Sequence, residues 1–482
     1  MPRPNVVLFI SDQQRADTMP GARAAPGIHT PHLNWLAGRG TLFRRAYCVT
    51  PICTPARAAL LTGLLPHTSG MVANHQPKPV ADELRLPHDV RVLADYLRPL
   101  GYVCGYAGKW HLGSGGDRRG FSDFVSRSGN FDVDTPEQNE AITFARRLGL
   151  TIEGGYSHNV DPTDYDPKTR LGSTLLPLAF HAAMLDAVHA ATFIRQQACS
   201  PHPFLLAFSC HEPHPPFVAP RPFGGMYRAE TMPLPETLED PNGPALMRQR
   251  GDDHLRAASR FTTDELRRMW AAYFGAVSYV DHLLGVILAA LIDASALDNT
   301  LLLYTSDHGE MLGSHGLWSK GAVFYEELVN VPLLVMPPGG RRGGHETSRL
   351  VSHLDVVPTV LGWCGAQVPD HLQGTDIRPL VEGGTAPVRE AVPLEYHSVV
   401  WGGHRSPLRG WRTEEWKYVE SQDNTEELYN LRADPAETRN LIADPAAATV
   451  RERLQDDLHR WLAATGDRWP EVPLPPVAAG QA

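Results

Sequence analysis

A cysteine at the start of a predicted helix is the residue of this sequence best placed to act as a nucleophile. Cys53 opens the string Cys53-Thr54-Pro55-Ala56-Arg57, and the helical run AALLTG follows it. A helix N-terminus lowers the pKa of a thiol and attracts anions. Arg57, one turn further on, can hold both an anion and the charge of the nucleophile. The pattern indicates a nucleophile beside an anion site, whereas a cysteine alone at a helix start would favour a buried structural residue.

Further polar residues follow four short apolar runs along the chain. These runs cover residues 5–10, 103–107, 204–209 and 300–305, and such continuous apolar runs are typical of strands buried on both faces of a parallel sheet. Ligands bind beyond the carboxyl ends of parallel strands. We therefore expect one edge of the sheet to gather Asp12, Lys109, His111, His211, His214, Asp307 and His308.

The elements that must position these residues point to an α/β fold. The apolar runs, with another at 331–336, alternate with segments of helical period, and the longest predicted helix covers 263–294. This alternation predicts a large, mainly parallel sheet that is sandwiched by helices. Loops rich in Gly, Pro and polar residues over 114–166 and 213–244 are predicted to surround the mouth of the site.

The sequence pattern changes near residue 386. We predict a catalytic domain over residues 1–385 and a smaller α+β subdomain over 386–482, with a small sheet and a mobile tail. A closing helix is expected from Pro445 to about Thr465, with Asp444 as its N-cap.

Together these motifs resemble those of the sulfatase family. Its signature C-x-P-x-R is met by Cys53, Pro55 and Arg57, and GKWHLG, SDHGEMLGSHGLWSKG and ELYNLRADPAETRNL are similar to further family blocks in the family's order. The resemblance runs from residue 5 to about residue 441. It implies an alkaline phosphatase-like fold and the hydrolysis of a sulfate monoester to an alcohol and inorganic sulfate. The nucleophile would be a formylglycine that a maturation enzyme makes from Cys53.

The resemblance also implies roles for individual residues. One hydroxyl of the hydrated aldehyde attacks sulfur, and the other later expels the sulfate and regenerates the aldehyde. Lysines hold the anion, His111 takes the proton from the second hydroxyl, and His214 protonates the leaving group. The implied catalytic residues are Cys53, Arg57, Lys109, His111, His214 and Lys320. The residues assigned to substrate binding are Asn74 and His211.

A divalent cation is implied beside residue 53. Gln13 stands where the family usually has a second aspartate, and His308 stands where many relatives have asparagine. Carboxylate and amide oxygens favour calcium, whereas the imidazole of His308 keeps manganese as the alternative. The implied ligands are Asp12, Gln13, Cys53, Asp307 and His308.

Composition narrows the range of partners. The 482 residues are 42% hydrophobic and 20% charged, as in a soluble globular protein. A net charge of -10 without a long basic run argues against nucleic acid. Six sparse cysteines, no secretory signal and no apolar segment of about 18 residues predict a cytoplasmic enzyme without a membrane partner. The expected partners are a small sulfated substrate and the maturation enzyme, and a homo-oligomer is left open.

Two rival functions are weighed against the sulfatase prediction. Gln13, Asp307-His308 and the string PHPPF suggest a phosphonate monoester or phosphodiester hydrolase of the same superfamily, but GKWHLG is the sulfatase form of its block. A non-catalytic anion-binding protein on this fold would have lost a nucleophile or metal residue, and none is lost.

Overall fold

The computed structural model describes residues 3–22, 27–74, 85–113, 118–125, 161, 163–174, 176–250, 255–385, 387–397, 407–422 and 424–469. The strands are β1 Asn5–Asp12, β2 Thr41–Phe43, β3 Ala46–Tyr47, β4 Val103–Gly108, β5 Asp123–Val125, β6 Phe204–Pro213, β7 Arg256–Ala257, β8 Thr300–Ser306, β9 Leu317–Trp318, β10 Leu333–Met336, β11 His345–Thr347, β12 Val351–Ser352, β13 Ala391–Tyr396, β14 Leu408–Thr413, β15 Trp416–Ser421 and β16 Glu426–Asn430. The α-helices are α1 Pro31–Ala37, α2 Cys53–Thr62, α3 Pro66–Ser69, α4 Leu93–Leu97, α5 Ala182–Ala198, α6 Asn242–Arg250, α7 Thr263–Asp293, α8 Glu326–Val329, α9 Val356–Trp363, α10 Arg378–Val381 and α11 Ala448–Thr465. Most of the predicted loop 114–166 and the predicted tail from residue 470 lie outside the described residues.

An eight-stranded sheet forms the centre of the fold, in the order β11-β2-β10-β8-β1-β6-β4-β5. The central strands β8, β1, β6 and β4 are parallel to one another. Only β10 among the described strands of this sheet runs antiparallel to the strands beside it. The prediction of an α/β fold with a mainly parallel sheet is confirmed, and all four strands that deliver the polar residues end at the same edge.

The first strand shows why this sheet is buried on both faces. Residues 6–10 are fully buried, and successive side chains of a strand point to opposite faces. Val7 and Phe9 belong to one apolar cluster, whereas Val6, Leu8 and Ile10 belong to the other. Because both faces need apolar residues, the strand has an unbroken apolar run rather than an alternating one.

The long helix α7 packs in the core. It begins with a capping box, since the Thr262 hydroxyl accepts from the Glu265 N–H at 3.2 Å and Glu265 Oε2 accepts from the Thr262 N–H at 2.7 Å. The prediction of a helix over 263–294 is confirmed to within one residue. Among the described helices, this one alone is long and apolar enough to cross a membrane, but most of its apolar stretch is buried inside the protein.

The C-terminal region contains the four-stranded antiparallel sheet β13-β14-β15-β16. Asp444 caps the following turn, because its Oδ1 accepts from the Ala446 N–H at 3.0 Å. Residues Pro445–Ala447 form a 3-10 turn, and the α-helix begins at Ala448, three residues later than predicted. The domain boundary at residue 385 stays a prediction.

A buried ionic cluster joins α3 to the C-terminal sheet. His67 Nδ1 lies 2.7 Å from Glu395 Oε1, and His397 Nε2 lies 3.2 Å from Glu395 Oε2. Arg409 holds Asp467 with two hydrogen bonds, and Asp467 lies 3.9 Å from His67. Burial alone would lower the pKa of His67, but the hydrogen bond and the charge of Glu395 raise it overall.

We expect His67→Gln to destabilise the protein at pH 6 by about 2 kcal/mol, the value of a hydrogen bond to a charged group. A raised pKa in the folded state stabilises below the unfolded pKa of about 6.5, and this contribution is lost as pH rises through the folded value. The deficit of the variant should therefore shrink toward pH 9. Urea unfolding at several pH values measures it. His371→Gln is the control, because His371 contacts Tyr96 rather than a carboxylate. A deficit that does not change with pH would contradict the role of the charged imidazole.

Candidate active site

Two buried carboxylates and one guanidinium form the floor of the candidate site. Asp12 ends β1 and Asp307 follows β8, and both are fully buried. Arg57 donates from Nη2 to Asp12 Oδ2 and from Nε to Asp307 Oδ2, each at 2.9 Å. Its Nη1 donates to Ser209 Oγ at 2.6 Å. The guanidinium offsets the charge of both carboxylates and fixes their orientation.

Cys53 is the first residue of α2 and faces this floor. The side chain is 2% exposed, and Sγ lies 3.2 Å from His308 Nε2 and 4.0 Å from Asp12 Oδ1. His111 and His214 lie close enough to Cys53 for its thiol to affect the pKa of both imidazoles. A helix therefore brings residue 53 to the point where the ends of the four central strands converge.

The two predicted lysines both lie in this site. Lys109 follows β4 and forms an ion pair with Asp12. Lys320 Nζ lies 2.8 Å from Cys53 Sγ, 2.7 Å from Gln13 Oε1 and 3.2 Å from His308 Nε2. Two ammonium groups beside the cysteine give this buried cleft the local positive charge that an anion requires.

The protonation states follow from burial and from these charges. Burial opposes ionisation of Asp12, but the positive charges of Lys109 and Arg57 hold the pKa of Asp12 well below its usual range. Burial and the nearby Lys109 lower the pKa of His111 to about 4. Burial and Lys320 lower the pKa of His214 to about 3. Both imidazoles are thus neutral near pH 7 and able to accept a proton.

Four potential metal ligands meet in the same place. Asp12, Cys53, Asp307 and His308 each offer one atom, and these atoms lie within 4.8 Å of one another. Gln13 follows Asp12 in the chain. Its side-chain oxygen accepts from Lys320 Nζ, which also lies beside His308 Nε2 of this group. The structure brings together all five residues that the sequence analysis proposed as ligands.

The two residues assigned to substrate binding lie at the edge of the cluster. The rings of His211 and His214 are 4.4 Å apart, so the two imidazoles pack against each other. Asn74 Oδ1 accepts from the Thr54 N–H at 3.0 Å and so caps the start of α2. Their contacts with a substrate stay predictions.

Some residues that shape the site were not predicted. Ser209 holds Arg57, and Glu310 contacts Gln13. Tyr273 on α7 donates to the backbone oxygen of Gln13 at 2.8 Å. Glu310 stands inside the motif after Asp307, which could have singled it out, but a serine at a strand end and a tyrosine in a long helix carry no such signal.

Comparison with known proteins agrees with this geometry. Residues 4–366 match the family model described as Sulfatase, and residues 313–464 match a model described as N-sulphoglucosamine sulphohydrolase, C-terminal. The chain is 30% identical to an uncharacterised sulfatase, YidJ, of Escherichia coli, over 95% of this chain and 87% of the relative. It is 29% identical to a choline-sulfatase of Rhizobium meliloti, over 92% and 83%.

A similar solved structure is the phosphonate monoester hydrolase of Agrobacterium radiobacter. The TM-score is 0.78 at 27% identity, and the match covers 96% of each chain. The family match spans three quarters of the sequence and includes every residue of the buried cluster. We conclude that this chain belongs to the sulfatase family and is a hydrolase of sulfuric esters.

Proposed function

We propose that the protein hydrolyses a sulfate monoester to an alcohol and inorganic sulfate with a formylglycine nucleophile made from Cys53 and a bound divalent cation. The observation that carries this proposal is the convergence of residue 53, two buried carboxylates and two lysines at one edge of the sheet. The nucleophile and the groups that would bind its anionic target are thereby within contact of one another.

The donor set suits a divalent cation. Asp12, Asp307 and the Gln13 amide supply hard oxygens, which calcium prefers, and the His308 imidazole also suits manganese. When bound, such an ion lowers the pKa of a coordinated hydroxyl and offsets charge on a sulfate oxygen. Lys320 lies against the same group of ligands, so a lysine can bind the sulfate next to the ion.

The surrounding side chains can carry the proton transfers. One hydroxyl of the hydrated aldehyde forms the bond to sulfur, and the bond from sulfur to the ester oxygen breaks. The negative charge of a bound sulfate ester raises the pKa of His214, so this imidazole can then supply a proton to the leaving oxygen. His111 is neutral, contacts residue 53, and can take the proton of the second hydroxyl as sulfate leaves and the aldehyde returns.

Mass spectrometry of the peptide that contains residue 53 tests the nucleophile. In protein from its native host we expect a residue that has lost its sulfur and two hydrogens and gained one oxygen, which is the change from a thiol to an aldehyde. Cleavage after Arg45 and Arg57 leaves Cys48 and Cys53 in one peptide, so fragmentation of that peptide locates the change, and Cys48 is the internal control that should keep its thiol. An unmodified Cys53 in active native protein would contradict the proposal.

Hydrolysis of a phosphonate monoester is the second candidate activity. The likeness to the Agrobacterium enzyme and the presence of Gln13 and His308 favour it. Sulfate monoesters and phosphonate monoesters are both singly charged, so the lysines would accommodate either. We expect the larger kcat/KM for an aryl sulfate when both substrates are compared with calcium and with manganese. A larger kcat/KM for the phosphonate ester under both ions would reverse the assignment.

A further inference from the structure

The side-chain amide of Gln13 is held by two groups of opposite character. Its Nε2 donates to Glu310 Oε2, and its Oε1 accepts from Lys320 Nζ at 2.7 Å. An ammonium group can only donate and a carboxylate can only accept. The amide therefore has one allowed orientation, with its oxygen turned toward Lys320 and His308 and its nitrogen turned away from them.

The backbone of Gln13 is fixed as firmly as its side chain. Its φ of 65° lies in the left-handed region, which a residue other than glycine keeps only where its surroundings hold it. The N–H donates to Asp307 Oδ1 at 2.9 Å, and the carbonyl accepts from the Tyr273 hydroxyl at 2.8 Å. Because the backbone N–H and carbonyl of Gln13 are both held, the remaining variable is whether the oxygen or the nitrogen of its side-chain amide faces the ligand cluster.

Glu310 determines that orientation and also holds the segment that carries Lys320. The side chain is fully buried. Its Oε1 accepts from the Leu312 N–H at 3.0 Å and from the Ser319 N–H at 2.5 Å, and its Oε2 accepts from Gln13. One carboxylate thus connects the amide of Gln13 to the residue next to Lys320.

We infer that Glu310 is a positioning residue that presents the Gln13 amide oxygen to the divalent cation and holds Lys320 beside it. This inference rests on the proposed function, because it assumes a cation among Asp12, Asp307 and His308. It also explains why position 13 is glutamine: a carboxylate there would face the buried carboxylate of Glu310, and two like charges in contact destabilise each other. Gln13 and Glu310 are therefore a matched pair.

The pairing predicts the outcome of an isosteric change. In Glu310→Gln, the new amide oxygen must stay at the Oε1 position to accept the two backbone N–H groups. Its NH2 group then faces the NH2 group of Gln13, so the Gln13 amide must turn over and direct N–H groups at the cation. We expect the dissociation constant for calcium or manganese to rise about 10- to 100-fold, as for other residues that orient metal ligands.

A reciprocal swap separates positioning from a general structural role. In the double variant Gln13→Glu with Glu310→Gln, the new amide donates to the new carboxylate, whose other oxygen still faces the cation. Metal affinity should return to within a few-fold of wild type in the swap. Gln13→Glu alone places two carboxylates in contact, so its metal affinity should stay below that of the swap. Glu427→Gln is the control, because Glu427 is a buried glutamate of β16 that accepts from the Tyr429 hydroxyl.

Calorimetric titration of the metal-free proteins with calcium and with manganese provides the test, with thermal melts of the same samples to check folding. Wild-type affinity in Glu310→Gln, or a swap that binds no better than the worse single variant, would overturn the inference and leave the proposed function standing. Wild-type protein that binds neither ion would overturn both. Should Glu310→Gln not fold, the metal affinities of Gln13→Glu and of the swap still support or overturn the inference.

Discussion

Cys53→Ala is expected to abolish sulfate ester hydrolysis and to leave the fold intact. The change deletes the atom from which the nucleophile is made, and loss of a nucleophile costs about 10⁴-fold or more in kcat. Alanine keeps the Cβ and loses one buried sulfur, a small loss of packing for a protein with an apolar core of this size. Turnover of an aryl sulfate measures the loss of activity, and a thermal melt shows whether the fold is intact.

Two companion variants make the result specific. Cys53→Ser keeps one hydroxyl and lacks the second, so it should accept the sulfate and then stall as a covalent ester that mass spectrometry can detect. Cys364→Ala removes a buried cysteine that packs in the apolar core and should keep its activity. Full turnover by Cys53→Ala would refute the nucleophile.

Asp307→Asn is expected to lower kcat/KM by at least about 100-fold and to weaken metal binding by a similar factor. The carboxylate offers a ligand atom to the cluster, binds Arg57 through Oδ2 and accepts the Gln13 and His308 N–H groups through Oδ1. An amide keeps the shape but removes the negative charge that the cation and the guanidinium share.

Metal concentration distinguishes the causes of this loss. If the carboxylate acts as a ligand, excess calcium or manganese should restore part of the activity of Asp307→Asn, and metal content after dialysis should fall. Asp293→Asn, at the exposed end of α7, is the control because Asp293 pairs only with Arg195 among the described residues. A dialysed Asp307→Asn protein with full activity and full metal content would contradict this role.

The central sheet could be predicted because its strands are buried on both faces. The runs that became β1, β4, β6 and β8 are apolar throughout, and the polar residues that follow each of them mark where the strand leaves the core. This placed Asp12, Lys109 and Asp307 at one edge from the sequence alone. The direction of β10 could not be predicted, because an apolar run is the same in a parallel and an antiparallel strand.

Other features of the site needed either the family resemblance or the structure. Lys320 follows β9, a strand of only two residues that is too short to be recognised as an apolar run, so only the resemblance assigned it. The role of Glu310 depends on its contacts with Gln13 and Ser319. Gln13 is nearly 300 residues away in the sequence and Ser319 is nine residues away, so the sequence does not show that the three residues meet. A glutamate looks the same in the sequence whether its carboxylate is buried or solvated, and only the fold shows which groups it contacts.

The burial of residue 53 has a consequence for the biogenesis of the protein. A side chain that is 2% exposed offers no surface to a second protein, and an enzyme that converts a thiol to an aldehyde has to surround it. Under the proposed chemistry, conversion must therefore precede the closure of α2 onto the sheet. The fraction of molecules that carry formylglycine would then depend on whether oxidation of Cys53 or folding of the nascent chain is faster. Slower folding should raise that fraction.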